Sequence, residues 1–234
     1  MKITDVKTLS LAHEGPRVMD ATHILSRRTT LIVEIHTDEG LVGIGEAESF
    51  GKPDIIRAII EQDLCPQLIG ANPLNIERLW SQMYRRTMSR GRKGYVICAI
   101  SGIDIALWDL LGKKSGLPVY RLLGGYTDRV PAYASGGFYA EGKGLPELSA
   151  EMAGYVRAGF KAVKMKVGRN TSDLFANADV CRTTEKDDLR RVQAVREAVG
   201  PDVQIMVDAN TVWDPITAVR VGRQLEQLGV VLLE

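Results

Sequence analysis

From residue 129 onward the chain alternates short β-patterned segments with helix-patterned ones, and no other feature constrains its fold as tightly. The order reads strand 129–134, helix 145–158, strand 162–167, helix 186–199, strand 203–208, helix 215–228, strand 230–234. Gly159, Gly200 and Gly229 fall just past three of the helices and Pro215 opens one, the positions these residues favour. Strands alternating with helices specify parallel βα units, hence an α/β sheet or barrel. An eight-stranded barrel takes about 250 residues, and the residues after Asp128 supply about half of one. The chain therefore reads as the front part of a longer protein; a small open α/β domain is the alternative.

The first half has a different grammar. Residues 1–11 read as a mixed strand, and 30–35 and 41–48 as a β-hairpin turned by Asp38-Glu39-Gly40. Residues 12–28 between them are polar and read as a flexible loop. From about 53 to 114 the period becomes helical, with Ile55, Ile56, Ile59, Ile60 and later Ile100, Ile103, Leu107 at helical spacing. Gly116-Leu117-Pro118 stops the last helix. Strands followed by helices make an α+β unit.

Composition narrows the function classes. Lys+Arg 30 against Asp+Glu 29 leaves a net charge of +1, with no basic excess for nucleic acid. Uninterrupted apolar runs fall far short of the ~20 residues of a membrane span, and MKITDVKTL lacks the layout of a signal peptide. Cys65, Cys98 and Cys181 are scattered and odd in number, as expected of reduced thiols. These features predict a cytoplasmic protein acting on small molecules or partners.

Strand parity places the candidate chemistry. Alternate residues of a strand share a face. Val163, Met165 and Val167 suit a helix layer, so Lys164 and Lys166 point the other way. Val203, Ile205 and Val207 suit the helix side, which leaves Asp208 inward with Met206, and Asn210 keeps that parity. In the last strand Val231 and Leu233 are expected outward, and Glu234 inward with Val230 and Leu232. Three successive strands thus deliver charges at their C-terminal ends, the edge at which parallel α/β folds bind ligands. Asp208 and Glu234 are hard oxygen donors suited to Mg²⁺. Two ammonium groups about 7 Å apart along a strand should depress each other's charge, lowering at least one lysine pKa. A neutral lysine can remove a proton, its charged neighbour can hold an anion, and a divalent ion can stabilise the enediolate formed next to a carboxylate. Taken singly, Lys-x-Lys also suits a solvated strand face and an Asp after a strand also suits a cap or turn; their joint parity on consecutive strands favours a site.

The run Ala99-Ile100-Ser101-Gly102-Ile103-Asp104-Ile105-Ala106-Leu107-Trp108-Asp109-Leu110-Leu111-Gly112-Lys113, followed by Gly116-Leu117-Pro118-Val119 and Leu122-Leu123-Gly124-Gly125, resembles the signature of the mandelate racemase/muconate lactonising group of the enolase superfamily. The resemblance continues through Lys161-Ala162-Val163-Lys164-Met165-Lys166-Val167-Gly168 and Ile205-Met206-Val207-Asp208-Ala209-Asn210 to Leu232-Leu233-Glu234. It implies an α+β capping domain over 1–125 and, over 126–234, about the first half of a (β/α)7β TIM-like barrel binding Mg²⁺. By position Asp208 and Glu234 match metal ligands, Lys166 the base and Lys164 its electrostatic partner. Ser135 and Asn210 match substrate contacts. The third metal ligand and the opposing acid/base would lie beyond Glu234, and His13, His23 and His36 match neither.

Residues 12–28 and 49–52 correspond in the family to loops closing over substrate, which makes Arg17, His23, Arg27 and Phe50 candidate contacts or solvated loop residues. Residues 169–185 form a 17-residue connection where 2–6 is usual. It is a candidate lid, with Arg169, Arg182 and Lys186 available to an acidic substrate, or a disordered insertion. The resemblance implies a Mg²⁺-dependent enzyme that abstracts the α-proton of a small hydroxy or sugar acid, with dehydration as the expected outcome. Racemisation or epimerisation and cycloisomerisation are alternatives within the family, and an inactive fragment or interaction module is the alternative outside it. Family members assemble symmetrically, so a homo-oligomer is the default expectation.

Overall fold

A computed structural model describes residues 1–169 and 183–234. It contains two compact units: Met1–Glu14 with Arg27–Arg129, and Gly15–Ser26 with Val130–Glu234.

In the first unit, strands β1 (Ile3–Met19), β2 (Ile24–Thr37) and β3 (Val42–Ala47) lie in that order in one sheet. β2 and β3 pair antiparallel from Leu31↔Ala47 to His36↔Val42, and Gly40, at φ 80°, donates to the Thr37 carbonyl in the expected turn. Leu31, Val33 and Ile35 are fully buried, the alternation that pins the register. The expected loop 12–28 is instead extended. β1 runs on to Met19 and β2 begins at Ile24, leaving only 20–23 as a turn. Residues 12–17 and 23–28 are mostly exposed on both faces, so they have no apolar alternation to betray a strand; only Met19, Asp20 and Ala21 at the tip are buried. Its tip, Gly15–Ser26, belongs to the second unit.

The helices follow. α1 (Pro53–Ala58), a π-helical stretch Ile59–Leu64 and α2 (Cys65–Leu68) bury Ile56, Ile60, Leu64 and Leu68 at four-residue intervals. α3 is Ile76–Thr87, α4 Tyr95–Ser115 and α5 Val119–Leu122. By length and composition α4 is apolar enough to cross a membrane. Its buried Ile100, Ile103, Leu107 and Leu110 sit in the core of the first unit, which accounts for that composition. The small residues of the signature run let α4 and β3 touch backbone to backbone: a Cβ on Gly45 would lie 2.0 Å from the Gly102 carbonyl oxygen, and one on Gly43 2.2 Å from that of Ala106. α4 ends at Gly116 in the left-handed region.

In the second unit, β4 (Ala134–Gly136), β5 (Ala162–Lys166), β6 (Gln204–Asp208) and β7 (Val230–Leu233) form a parallel sheet in chain order. The strand expected at 129–134 begins only at Ala134; Pro131 lacks the N–H a ladder needs, and 129–133 are exposed. Helices α6 (Leu145–Arg157), α7 (Glu185–Val199) and α8 (Pro215–Gln227) complete the βα order. Their buried Leu148, Met152, Val192, Val195 and Val221 share a core with Val163, Met165, Ile205 and Val207 of the sheet. Thr184 caps α7 by accepting the Asp187 amide at 3.1 Å, and Asp214 caps α8 by accepting that of Thr217 at 2.8 Å.

β7 departs from simple alternation. Ile205 pairs with Val230 but Met206 pairs with Leu232, a one-residue irregularity. The extra residue turns Val230 toward the helix-side core, whereas strict parity put it inward. Leu232 and Glu234 keep their expected parity.

Candidate active site

The register of the parallel sheet collects the charged residues at one edge. Lys164 lies opposite Ser135 on β4 and Met206 on β6, and Lys166 lies opposite Asp208. Their strand neighbours Val163 and Met165 are wholly buried on the helix side, so the lysines occupy the other face, each 8% exposed. Lys166 Nζ donates to Asp208 Oδ2 at 2.6 Å and Lys164 Nζ to Glu234 Oε2 at 2.5 Å. Lys164 Nζ is also 4.0 Å from Asp208 Oδ2, so one carboxylate oxygen serves both amines. Asp208 is buried, while the Glu234 side chain is more than half exposed. Ladder bonds hold the glutamate in place: Glu234 N–H donates to Val207 and its carbonyl accepts from Ala209.

Asn210 completes the corner. Its backbone N–H donates to Asp208 Oδ1 at 2.8 Å and its side-chain amide to Oδ2 at 3.1 Å. Asn210 and Thr211 both have positive φ, 46° and 68°. Such strain, above all at a β-branched residue, is typical of positions the surroundings over-determine. Ser135 is exposed on the lysine face. Two aromatic rings escaped the sequence reading: Tyr133 lies 5.2 Å from Lys164 Nζ and Phe138 5.5 Å from Lys166 Nζ, within cation–π range. The only signal for them was their position at either end of a three-residue strand.

Burial alone would push the Lys164 amine down, but hydrogen bonds with Glu234 and Tyr133 and the charges of both groups hold it above its ordinary value. Repulsion between the lysines was expected to lower one of them; Lys164 moves the other way, because Glu234 and Tyr133 beside it favour the charged amine.

The donor set suits a hard cation. Asp208 and Glu234 both reach the Lys164 amine, and Asn210 Oδ1 is buried with no hydrogen-bond partner. Two carboxylates match Mg²⁺, which takes few protein ligands and keeps several waters, and the orphaned amide oxygen beside them is open to a further polar contact. Among the described residues no group of three or more His, Cys, Asp or Glu converges.

The loop candidates fare differently. Arg17 pairs with Glu141, and Arg27 with Glu14. His23 is held at the hairpin tip by Asp20, and Phe50 stacks edge-on against Tyr95. Arg169, expected to face an acidic substrate, is 2% exposed and donates to the carbonyls of Asp20 and His23 at 2.9 and 3.3 Å. Lys186 is exposed on α7. Arg182 and Cys181, with the rest of the candidate lid between 170 and 182, lie outside the described residues.

Comparison with known proteins bears on this arrangement. The family model for the mandelate racemase/muconate lactonizing enzyme N-terminal domain matches residues 3–124, and that for the enolase C-terminal domain-like family matches 147–234. The chain is 41% identical to an arabinonate dehydratase of Saccharolobus solfataricus, over 99% of this chain and 60% of that protein. It is 35% identical to a D-galactarolactone cycloisomerase of Agrobacterium fabrum, over 98% of this chain and 57% of the relative. A racemase from Streptomyces coelicolor, solved with bound magnesium, superposes with a TM-score of 0.88 at 32% identity, over 99% of this chain and 61% of that one. The chain thus spans about 60% of the length of the relatives it matches. With one family model covering the antiparallel-sheet unit and the other the parallel βα units, the chain belongs to the mandelate racemase/muconate lactonizing enzyme family of the enolase superfamily.

Proposed function

We propose that the protein abstracts the α-proton of a small hydroxy or sugar-acid carboxylate and that the product is the dehydrated acid. The observation that carries this reading is the convergence of Lys164, Lys166, Asp208 and Glu234 at the C-terminal edge of three neighbouring parallel strands. Asp208 and Glu234 would hold Mg²⁺, which when bound supplies Lewis-acid stabilisation of negative charge developing on the substrate carboxylate. Lys166, as the free amine, takes the α-proton on Nζ. Its ion pair with Asp208 competes with that role, so engaging the aspartate elsewhere releases the amine for proton transfer. Lys164, the other amine on this face, attracts the anionic substrate. Ser135, on the same face, and Asn210, through its unpartnered Oδ1, provide polar contacts that orient hydroxyl groups. Loss of the α-proton and of the β-hydroxyl as water gives an enol that tautomerises to a 2-keto acid. Similarity to an arabinonate dehydratase supports this outcome.

Resemblance to a racemase and a cycloisomerase supports a second outcome from the same proton abstraction, without net loss of water. The test is incubation with Mg²⁺ and a panel of acid sugars in D2O, followed by mass spectrometry. Dehydration appears as loss of one water, racemisation as deuterium gain without it. Lys166→Ala is expected to reduce α-exchange by at least ~10²-fold; exchange at the wild-type rate removes Lys166 as the base. Absence of Mg²⁺ uptake by calorimetry, together with no exchange on any substrate, would leave an inactive or interaction module.

A further inference from the structure

Away from the charged cluster, buried polar groups gather where α7 begins. Asp188 is 1% exposed, Tyr139 3% and Arg191 7%. Burial pushes the Asp188 carboxyl above its ordinary value, against the hydrogen bonds it accepts from Tyr139 and Gly168 and the charge of Arg191. Keeping a carboxylate and a guanidinium out of water is costly, and an apolar replacement often stabilises as well or better. Their bonds indicate what they do.

One side of the cluster grips the chain that leaves Lys166. Asp188 Oδ2 accepts the Gly168 N–H at 2.7 Å. Gly168, at φ +83°, is two residues past Lys166, and a Cβ there would come within 2.7 Å of Val212 Cγ2, so this turn is tightly enclosed. The other side grips the chain that carries the ring facing Lys166. Asp188 Oδ1 accepts the Tyr139 hydroxyl at 2.6 Å, Arg191 Nη2 donates to the Gly137 carbonyl at 2.8 Å, and the guanidinium lies 4.0 Å from the centre of the Tyr139 ring. Between these anchored residues stands Phe138, whose ring is 5.5 Å from Lys166 Nζ. Tyr139 also exchanges two backbone hydrogen bonds with Met19 of the hairpin tip, at 2.8 and 2.9 Å.

We propose that Asp188 and Arg191, three residues apart on α7, are positioning residues for Lys166, clamping at once the backbone that follows it and the loop that holds Phe138 against its amine. Neither touches the lysine; Asp188 acts through Gly168 and Tyr139, and Arg191 through Gly137 and Tyr139. The catalytic consequence rests on the reading of Lys166 as the base, but the placement of its amine can be measured without a substrate.

The experiment is competitive labelling of the purified full chain with trace acetic anhydride, reading Lys166 against Lys164 by peptide mass spectrometry. Asp188→Asn and Tyr139→Phe are compared with Val195→Ala, which thins the same helix's core contacts without touching the clamp. In folded protein, as judged by circular dichroism, the first two variants are expected to change the Lys166/Lys164 ratio by about fivefold or more and the third by less than about twofold. Should Asp188→Asn fail to fold, Tyr139→Phe decides, since it removes one hydroxyl and keeps the ring. Ratios within about twofold of wild type in the folded clamp variants overturn the proposal.

A second arm measures α-deuterium exchange on arabinonate. Asp188→Asn is expected to lower kcat by about 10- to 100-fold with KM unchanged; loss confined to KM contradicts positioning. If Lys166→Ala retains exchange, the reading of Lys166 as base falls, and the labelling ratio still decides the clamp.

Discussion

Asp20 shows how one side chain sets a local conformation. It is 8% exposed at the hairpin tip, and Oδ1 accepts the backbone N–H groups of Thr22 at 2.8 Å and His23 at 2.6 Å. Burial alone would raise its pKa, but those bonds and the neighbouring His23 outweigh it, holding the carboxyl below its ordinary 3.8. A carboxylate depressed in the folded state contributes stability that is present above the unfolded value and lost as the pH falls through the folded one. Asp20→Asn keeps an acceptor and loses the charge, so at pH 6 it should cost about 1 kcal/mol. In thermal melts the gap from wild type should close as the pH falls below 3.8; a gap constant from pH 6 to 2 would show that charge is not what the turn uses. Sequence offered little warning here, because an Asp in a polar stretch looks like any solvated residue until the backbone curls onto it.

At the scale of elements, the contact between α4 and β3 governs the first unit. Gly43 and Gly45 alternate along β3, and on α4 Gly102 and Ala106 lie four residues apart; each pattern follows the period of its own element. The glycine Cβ positions would collide with the helix backbone rather than with a movable side-chain end. Gly45→Ala is therefore expected to destabilise the protein by about 1–3 kcal/mol, through overpacking, in chemical denaturation followed by circular dichroism. An effect below ~0.5 kcal/mol would mean that strand and helix separate readily. The helix itself was legible from the spacing of Ile100, Ile103 and Leu107. That its small residues serve β3 was not legible, since 57 residues separate Gly45 from Gly102 and nothing local pairs them.

Across these 234 residues, β7 stands at one edge of the parallel sheet. β7 ends the order β4-β5-β6-β7, and Val231, Leu232 and Leu233 are 58%, 42% and 38% exposed. An apolar edge strand with free backbone groups is a template for pairing with another chain. With a net charge of only +1, long-range repulsion does little to prevent this. Val231→Lys should slow aggregation of this chain severalfold in light scattering, leaving the circular dichroism spectrum unchanged; equal aggregation rates would exonerate β7.

Within each strand, sequence alone determined which side chains share a face, because the pleat repeats every two residues whatever surrounds it. That local rule set Lys164, Lys166, Asp208 and Glu234 on one side, and the family signature supplied the kinship. Tertiary structure alone decided the pairings. Lys166 meets Asp208 across 42 residues and Lys164 meets Glu234 across 70, separations over which only the register of packed strands selects a partner. The same long-range packing turned Val230 into the core through one extra residue in β7, and drew Asp188 and Arg191 from an ordinary helix start to the backbone after Lys166 and to the loop that carries Phe138.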